Sequence, residues 1–219
     1  MRNNFKLLTY LLVAIGFSSS FAGSYEDFFV AIKRDDARVV AALLSRGFDP
    51  DTRSPESLGG LYLALRDGSL ESAQVLIKWP KTNIEIRTAQ DESPLMIAAL
   101  KGQLEIARML IARDADVNKT GWTPLHYAAT NGHLPVMGLL LENHAYIDAE
   151  SPNGTTPLMM AAQYGSPAAV KLLLDSGADP SLKNQLGLTA VDFALRAHRS
   201  DAAELILASL QERKKKYNK

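Results

Sequence analysis

The 219-residue chain contains no cysteine. No disulfide can support its fold in an oxidising compartment, no lipid can be thioether-linked to it, and no thiolate is offered to zinc. It also lacks an excess of either charge, with 24 Lys+Arg against 24 Asp+Glu. That is not the balance of a nucleic-acid binder. No apolar run is long enough to span a bilayer; Leu7 to Phe17 falls well short of the roughly 20 residues required. There is no Gly-rich phosphate loop, since Gly59-Gly60 stands alone. The four histidines, His126, His133, His144 and His198, show no zinc-motif spacing. Ser, Asp and Glu are plentiful, but they fall at helix caps and turns rather than in a nucleophile–base or paired-carboxylate pattern. These absences lead us to expect no enzyme activity, no cofactor and no metal site.

What the chain does have begins at the N-terminus. Arg2 and Lys6 form a basic stretch, Leu7 to Phe17 an apolar one, and Ser20-Phe21-Ala22 a small-x-small cleavage signal before Gly23. This order predicts a signal peptide over 1–22. Its removal leaves 22 basic against 24 acidic residues, a net charge of about −2. Asn118-Lys119-Thr120 and Asn153-Gly154-Thr155 fit the N-glycosylation acceptor pattern. A eukaryotic secretory route would mask exposed turns there, whereas bacterial export would leave them bare. The periplasm is the expected compartment, secretion the alternative, with no stable membrane anchor after cleavage.

From 23 onward the chain repeats itself. Ser93-Pro94-Leu95-Met96-Ile97-Ala98-Ala99, Thr123-Pro124-Leu125-His126-Tyr127-Ala128-Ala129 and Thr156-Pro157-Leu158-Met159-Met160-Ala161-Ala162 are three versions of one motif. The hydroxyl residue is suited to cap a helix and the Pro to its first turn. The paired Ala residues allow close helix approach. Gly68, Gly102, Gly132 and Gly165 then close the first helix at spacings of 34, 30 and 33 residues. One period outward lie Asp35 and His198. A second helix follows, with apolar residues at helical spacing such as Val170, Leu173 and Leu174. Asp49-Pro50, Ala115-Asp116 and Ala178-Asp179-Pro180 lead into exposed turns. Such a period is the signature of a stacked solenoid.

These motifs closely resemble the ankyrin repeat family. The resemblance implies an all-α solenoid of about six helix-turn-helix repeats with β-hairpin loops. We place them at about 24–54, 55–90, 91–120, 121–153, 154–186 and 187–210, followed by a basic tail at 211–219. The sequence departs from the family pattern in five places. The first repeat, from Tyr25 to Asp51, has no Thr-Pro, and the last opens on Thr189-Ala190-Val191-Asp192, again without Pro. Gly59-Gly60 replaces Thr-Pro in the second repeat. The loop from Val117 to Trp122 has lost three residues, which predicts a notch in the row of loop tips. Lys78-Trp79-Pro80-Lys81 replaces a Gly-containing helix end.

The resemblance also implies function: a non-catalytic module binding a protein partner through a concave face of loop tips and first helices, expected here as a monomer. Carried over residue by residue, the first-helix positions of that face are Val30, Leu63, Ile97, Tyr127, Met160 and Phe193. The sites singled out for binding are Ile97, Leu100, Lys101, Trp122, Tyr127, Asn131, Met160, Gln163, Tyr164 and Phe193. Aromatic residues and Met are enriched at interface cores. His126 and His133 are expected to be structural. A regulator or protective accessory of a periplasmic enzyme is the narrower form of this reading. A metal handler using Met and His, or an effector acting on another cell, are the alternatives. The first expectation to check is cleavage after Ala22, which the intact mass of the exported protein reads directly; a retained Met1 would refute it.

Overall fold

A computed structural model describes residues 23–217. The expected signal peptide and the last two residues lie outside the described residues. Twelve helices and no strand are found among them, grouped into two units that divide after Thr88. The first unit holds α1 (residues 23–33), α2 (Ala37–Ser45), α3 (Gly60–Asp67) and α4 (Leu70–Lys78). The second holds α5 (Pro94–Leu100), α6 (Leu104–Ile111), α7 (Pro124–Asn131), α8 (Leu134–Glu142), α9 (Pro157–Gln163), α10 (Pro167–Asp175), α11 (Ala190–Arg196) and α12 (Ser200–Tyr217). Apart from the 18-residue α12 the helices have 11 residues or fewer, too short to be stable alone, and each is held by the neighbours it buries against.

In the first unit, Phe28 is completely buried and its ring lies 4.7 Å from that of Phe48. This large side chain explains the second of the two glycines on which the second repeat opens, and Ile86 the first. A Cβ on Gly60 would sit 2.7 Å from the Phe28 ring, and one on Gly59 equally close to Ile86. Asp35 takes the place of a helix-ending glycine and adopts the left-handed backbone, φ 54°. Its carboxylate accepts the N–H groups of Ser72 at 2.7 Å and Glu71 at 3.2 Å, at the start of α4. Ser69, the residue before α4, makes no side-chain cap of its own. At the other end of α4, Trp79 is extended, ψ 120°, as the residue before a proline is driven to be.

In the second unit each first helix packs on the next: α5 on α7, α7 on α9 and α9 on α11. The paired alanines make this possible, with Ala98, Ala99, Ala128, Ala129, Ala161 and Ala162 all fully buried. Ser93 and Thr156 cap their helices, accepting from the N–H of Met96 at 3.3 Å and Met159 at 3.4 Å. The helix-ending glycines do two different jobs. Gly102 and Gly132 have left-handed backbones, φ 67° and 65°. Gly165 does not, and α9 closes instead on Tyr164 at φ −123°. Gly165 is required for space: a Cβ there would lie 2.4 Å from the Ala129 carbonyl oxygen. His198, one period on, is again left-handed at φ 57°.

The loops depart from the expected β-hairpins. Only an isolated bridge, Arg53 to Gly59, joins extended segments among the described residues. Each full-length loop is closed by one backbone bond at its neck, Ser54 N–H to Leu58, Ser151 N–H to Thr155 and Asn184 N–H to Leu188. Side chains replace the missing ladder. Asp49, Asn83, Asp116 and Asp179 each accept the N–H two residues on. Asp51, Asn118 and Asp148 reach the following loop, accepting the N–H of Asn83 (2.9 Å), Tyr146 (2.7 Å) and Asp179 (3.0 Å). Burial pushes the Asp51 and Asp148 carboxyls above their ordinary range, against the opposing pull of those N–H donors. Asn118 is therefore engaged rather than freely exposed, and its amide donates to the His144 carbonyl at 2.8 Å. Asn153 is exposed, but Thr155 of the same acceptor pattern is buried.

The shortened loop after α6 draws Lys119 inward, where its ammonium pairs with Asp91. Beside it a polar step of about 520 Å³ opens along Thr120, Gly121, Pro152, Lys183 and Gln185. The basic segment assigned to a separate tail is helical as far as Tyr217, because α12 runs 18 residues. Arg213 donates to the carbonyls of Ala178 at 2.7 Å and Gly177 at 3.2 Å, which fastens the extra turns to the preceding repeat.

Gly165→Ala should therefore destabilise the protein by about 1–3 kcal/mol through overpacking, although its backbone conformation suits any residue. Chemical denaturation of the variant beside the parent measures this; an unchanged midpoint would contradict the close approach.

Candidate functional site

Leu100 at the end of α5, Trp122 ahead of α7, Tyr127 and Thr130 on α7, and Met160 on α9 converge on one apolar depression of about 250 Å³, with His126 in its lining. Three successive repeats thus contribute to one surface. The structure fixes most of it. The Trp122 and His126 rings meet edge to face, 5.2 Å apart at 75°. The Tyr127 hydroxyl donates to Glu92 at 3.3 Å. The Thr130 hydroxyl donates to the His126 carbonyl at 2.8 Å. Rings held this way lose little freedom when a partner arrives, which favours their use as anchors.

His126 is the only buried histidine among the described residues, with no exposed surface. Its Nε2 bonds the Thr155 carbonyl of the next repeat at 2.9 Å. Nδ1 receives both the Thr123 N–H at 3.1 Å and the Thr123 hydroxyl at 2.8 Å. Nδ1 must then be the acceptor and Nε2 must carry the proton, so the ring is neutral. The Thr123 hydroxyl donates to the ring instead of capping α7, unlike those of Ser93 and Thr156. Burial pushes the imidazole down to about 4, against the carbonyls of Thr155 and Ala149, which favour the charged form. Met96 and Met159 hold the corresponding positions. Their sulfurs take the N–H of Ser93 and Thr156 at 3.4 Å, so they are buried helix-start acceptors rather than open metal ligands. No group of three or more His, Cys, Asp or Glu able to hold a metal occurs among the described residues. His133 ties its repeat in the other direction, to the preceding one, bonding the Leu100 carbonyl at 3.0 Å. His144 is exposed.

Of the ten positions expected to bind, Leu100, Trp122, Tyr127 and Met160 line the depression. Ile97 does not belong to the surface: it is 3% exposed and packs in the core, where the first helices pack against each other. Asn131 is exposed, but its amide is occupied by the Leu100 carbonyl at 2.8 Å. Lys101 is exposed, Gln163 and Phe193 are half-buried, and Tyr164 stands out at 55% exposure. Thr130 and His126 also line the depression, though neither is among the ten; His126, expected to be structural, is completely buried there. In the first unit Val30 and Leu63 line a second depression, about 390 Å³, with Tyr25 and Phe29.

Comparison with known proteins decides the family. The model for ankyrin repeats (3 copies) matches residues 28–120, 61–151, 114–184 and 145–218. The chain belongs to the ankyrin repeat family. An ankyrin repeat domain from Acinetobacter baumannii has the same fold, at a TM-score of 0.72 and 26% identity over 83% of this chain and 96% of that one. Similar again is a chain in the complex of a predatory endopeptidase from Bdellovibrio bacteriovorus with an immunity protein, at a TM-score of 0.71 and 28% identity, covering 83% and 97%. Curated relatives include ankyrin repeat and SAM domain-containing protein 6 of Rattus norvegicus, 32% identical over 110 residues, 48% of this chain and 12% of that protein. Protein phosphatase 1 regulatory subunit 27 of Mus musculus is 31% identical over 93 residues, 41% of this chain and 60% of that protein. The chain thus spans only part of the length of these curated relatives. Ankyrin repeats are generally protein-interaction scaffolds without catalytic activity. No described helix is long and apolar enough to cross a membrane.

The neutral state of His126 makes stability depend on pH. The folded protein holds the imidazole near 4 while the unfolded chain titrates near 6.5. The unfolded state binds more protons in that window, so stability is complete above the upper value and falls as pH drops through the window. The loss is at most about 3 kcal/mol. His126→Met, which copies the repeats on either side, should flatten this component. Thermal melts of both proteins at pH 7 and pH 4.5 test it; equal pH sensitivity would reject the assignment.

Proposed function

We propose that the mature chain is an exported, non-catalytic binding module of the periplasm. It grips a protein partner with the depression formed by Leu100, Trp122, Tyr127 and Met160. The observation that carries this reading is the depression itself: two immobilised aromatic rings, a Leu and a Met left half-open across three repeats. Exposed Tyr164 adds apolar surface on the same series of first helices. Surface groups of this kind gathered at one place mark interaction sites, and aromatic anchors dominate binding energy.

The narrower part of the reading concerns role. The likeness to a chain in an endopeptidase–immunity protein complex supports a regulator or protective accessory of an enzyme that shares its compartment. Export rests on the N-terminal segment, with its basic start, apolar middle and small-x-small end. The partner we expect is a protein, not nucleic acid, since the mature chain carries about two more acidic than basic residues.

Capture of the partner on the immobilised mature chain, followed by measured affinities of variants, tests the surface. Trp122→Ala and Tyr127→Ala should each weaken binding by about 2 kcal/mol or more, roughly 30-fold. Lys171→Ala removes an exposed second-helix residue paired with Asp175 at 2.8 Å and should leave affinity unchanged. Retained binding in both aromatic variants, with loss in the Lys171 variant, would place the contact on the opposite helices.

A further inference from the structure

The loop before α7 closes differently from the others. In the full-length loops the neck residue is a polar one, Ser54, Ser151 or Asn184, and each is buried. Besides the neck bond made by its own N–H, its side-chain oxygen accepts the N–H of the residue that closes the loop: Leu58 at 3.4 Å, Thr155 at 3.0 Å and Leu188 at 3.0 Å. In the shortened loop the neck residue is Lys119 and the closing residue is Trp122. An ammonium has donors and no acceptor, so it cannot take that N–H. Among the described residues no backbone bond joins Asn118 or Lys119 to Trp122 either.

Lys119 holds the loop by other means. Its side chain is 9% exposed, and its ammonium pairs with the Asp91 carboxylate of the third repeat. The same ammonium donates to the Thr120 carbonyl at 3.0 Å, which draws the loop in on itself. Gly121 then turns the chain, at φ 83°, into Trp122. The residue after Asp91 makes a second link, since Glu92 accepts the Tyr127 hydroxyl. Two consecutive carboxylates thus reach the loop that carries one aromatic wall of the depression and the ring that forms the other.

We propose that Asp91 and Glu92 are the positioning residues of this depression, which rests on reading the depression as the partner site. Asp91 acts on Trp122 through Lys119, and Glu92 acts on Tyr127 through its hydroxyl. Their contribution is preorganisation: a ring already held in place has less freedom to lose when a partner binds. The two members of the ion pair are not equivalent. Asp91 is 64% exposed, whereas Lys119 is nearly enclosed. Removing Lys119 returns an exposed carboxylate to water at little cost. Removing Asp91 leaves an enclosed ammonium uncompensated, which is strongly unfavourable. The ammonium then swings out to water, the loop follows it, and Trp122 loses its pose.

Indole quenching in the mature chain tests the positioning without any partner. Trp79 and Trp122 are the two tryptophans, so Trp79→Phe leaves Trp122 as the reporter. Asp91→Asn keeps the side-chain size and a left-handed backbone, φ 61°, that Asn also tolerates. It should raise the quenching of Trp122 by acrylamide, and adding Lys119→Met, which removes the stranded ammonium, should reverse the rise. On the captured partner, Asp91→Asn, Glu92→Ala and Tyr127→Phe should each weaken binding about three- to tenfold. Glu92→Gln should retain affinity, because its amide oxygen still accepts the hydroxyl. Unchanged quenching in Asp91→Asn, with unchanged affinity in Asp91→Asn and Glu92→Ala even at lowered stability, would overturn the proposal. If Trp122→Ala has meanwhile lost the partner, the site itself stands. Retained binding in Trp122→Ala would instead reject the site, and the proposal with it.

Discussion

No repeat in this protein can bury its apolar face by itself, and everything else follows from that. A seven-residue helix such as α5 or α9 is far too short to persist in water. It exists because the neighbouring first helix takes its apolar side at very short range. The alanine pairs are the means of approach, and Gly165 is its limit, with backbone against backbone where even a methyl group would collide. Hydrogen bonds then set the register that hydrophobic contact alone leaves loose. His126 reaches forward to Thr155, His133 and Asn131 reach back to Leu100, and Asn118 and Asp148 accept from the loop ahead. Most of these partners are backbone groups that would otherwise be orphaned at helix and loop ends. The same bond satisfies a buried polar group and fixes the spacing between repeats.

Much of this was legible before any coordinates. The motif at Thr123 to Ala129 specified helix starts, and period counting marked Asp35 and His198 as the outer landmarks, where the structure finds left-handed residues although neither is glycine. What escaped was whatever depends on a neighbour's size. The sequence shows a glycine at 165 as it does at 132, yet one is needed for backbone sign and the other for space. Ile97 and Tyr127 share a register, but one is buried and the other half-open. Gly59-Gly60 looked like a defect in the motif. Gly60 makes room for the Phe28 ring, a whole repeat earlier in the sequence, and Gly59 for Ile86.

The candidate site arises from the same economy. The loop before α7 is three residues short, and Trp122 occupies the position that Thr155 and Leu188 fill in the following repeats. Thr155 is buried under the loop that follows, whereas Trp122 remains half-open and rests on the His126 ring. A deletion that weakens the loop row therefore exposes an aromatic surface, and an edge-to-face contact keeps that surface in place. The absence of cysteine makes this restraint more important, because no disulfide holds the repeats if their contacts loosen.

His126 consequently has two duties that cannot be separated. It joins the fourth repeat to the fifth, and it lines the depression between Leu100 and Met160. On the proposed reading, a partner seated there would touch residues from three repeats, and so would bind only when all three are stacked. Binding to the folded state alone raises stability by mass action, in proportion to the logarithm of partner concentration over its dissociation constant. The reverse coupling is equally obligatory. On that reading, anything that loosens the contact between the fourth and fifth repeats, including protonation of the imidazole, would weaken the grip on the partner, because the stacked register would be the binding-competent state. In this molecule affinity and stacking draw on the same few hydrogen bonds, and a change that improves one without regard to the other has little room to act.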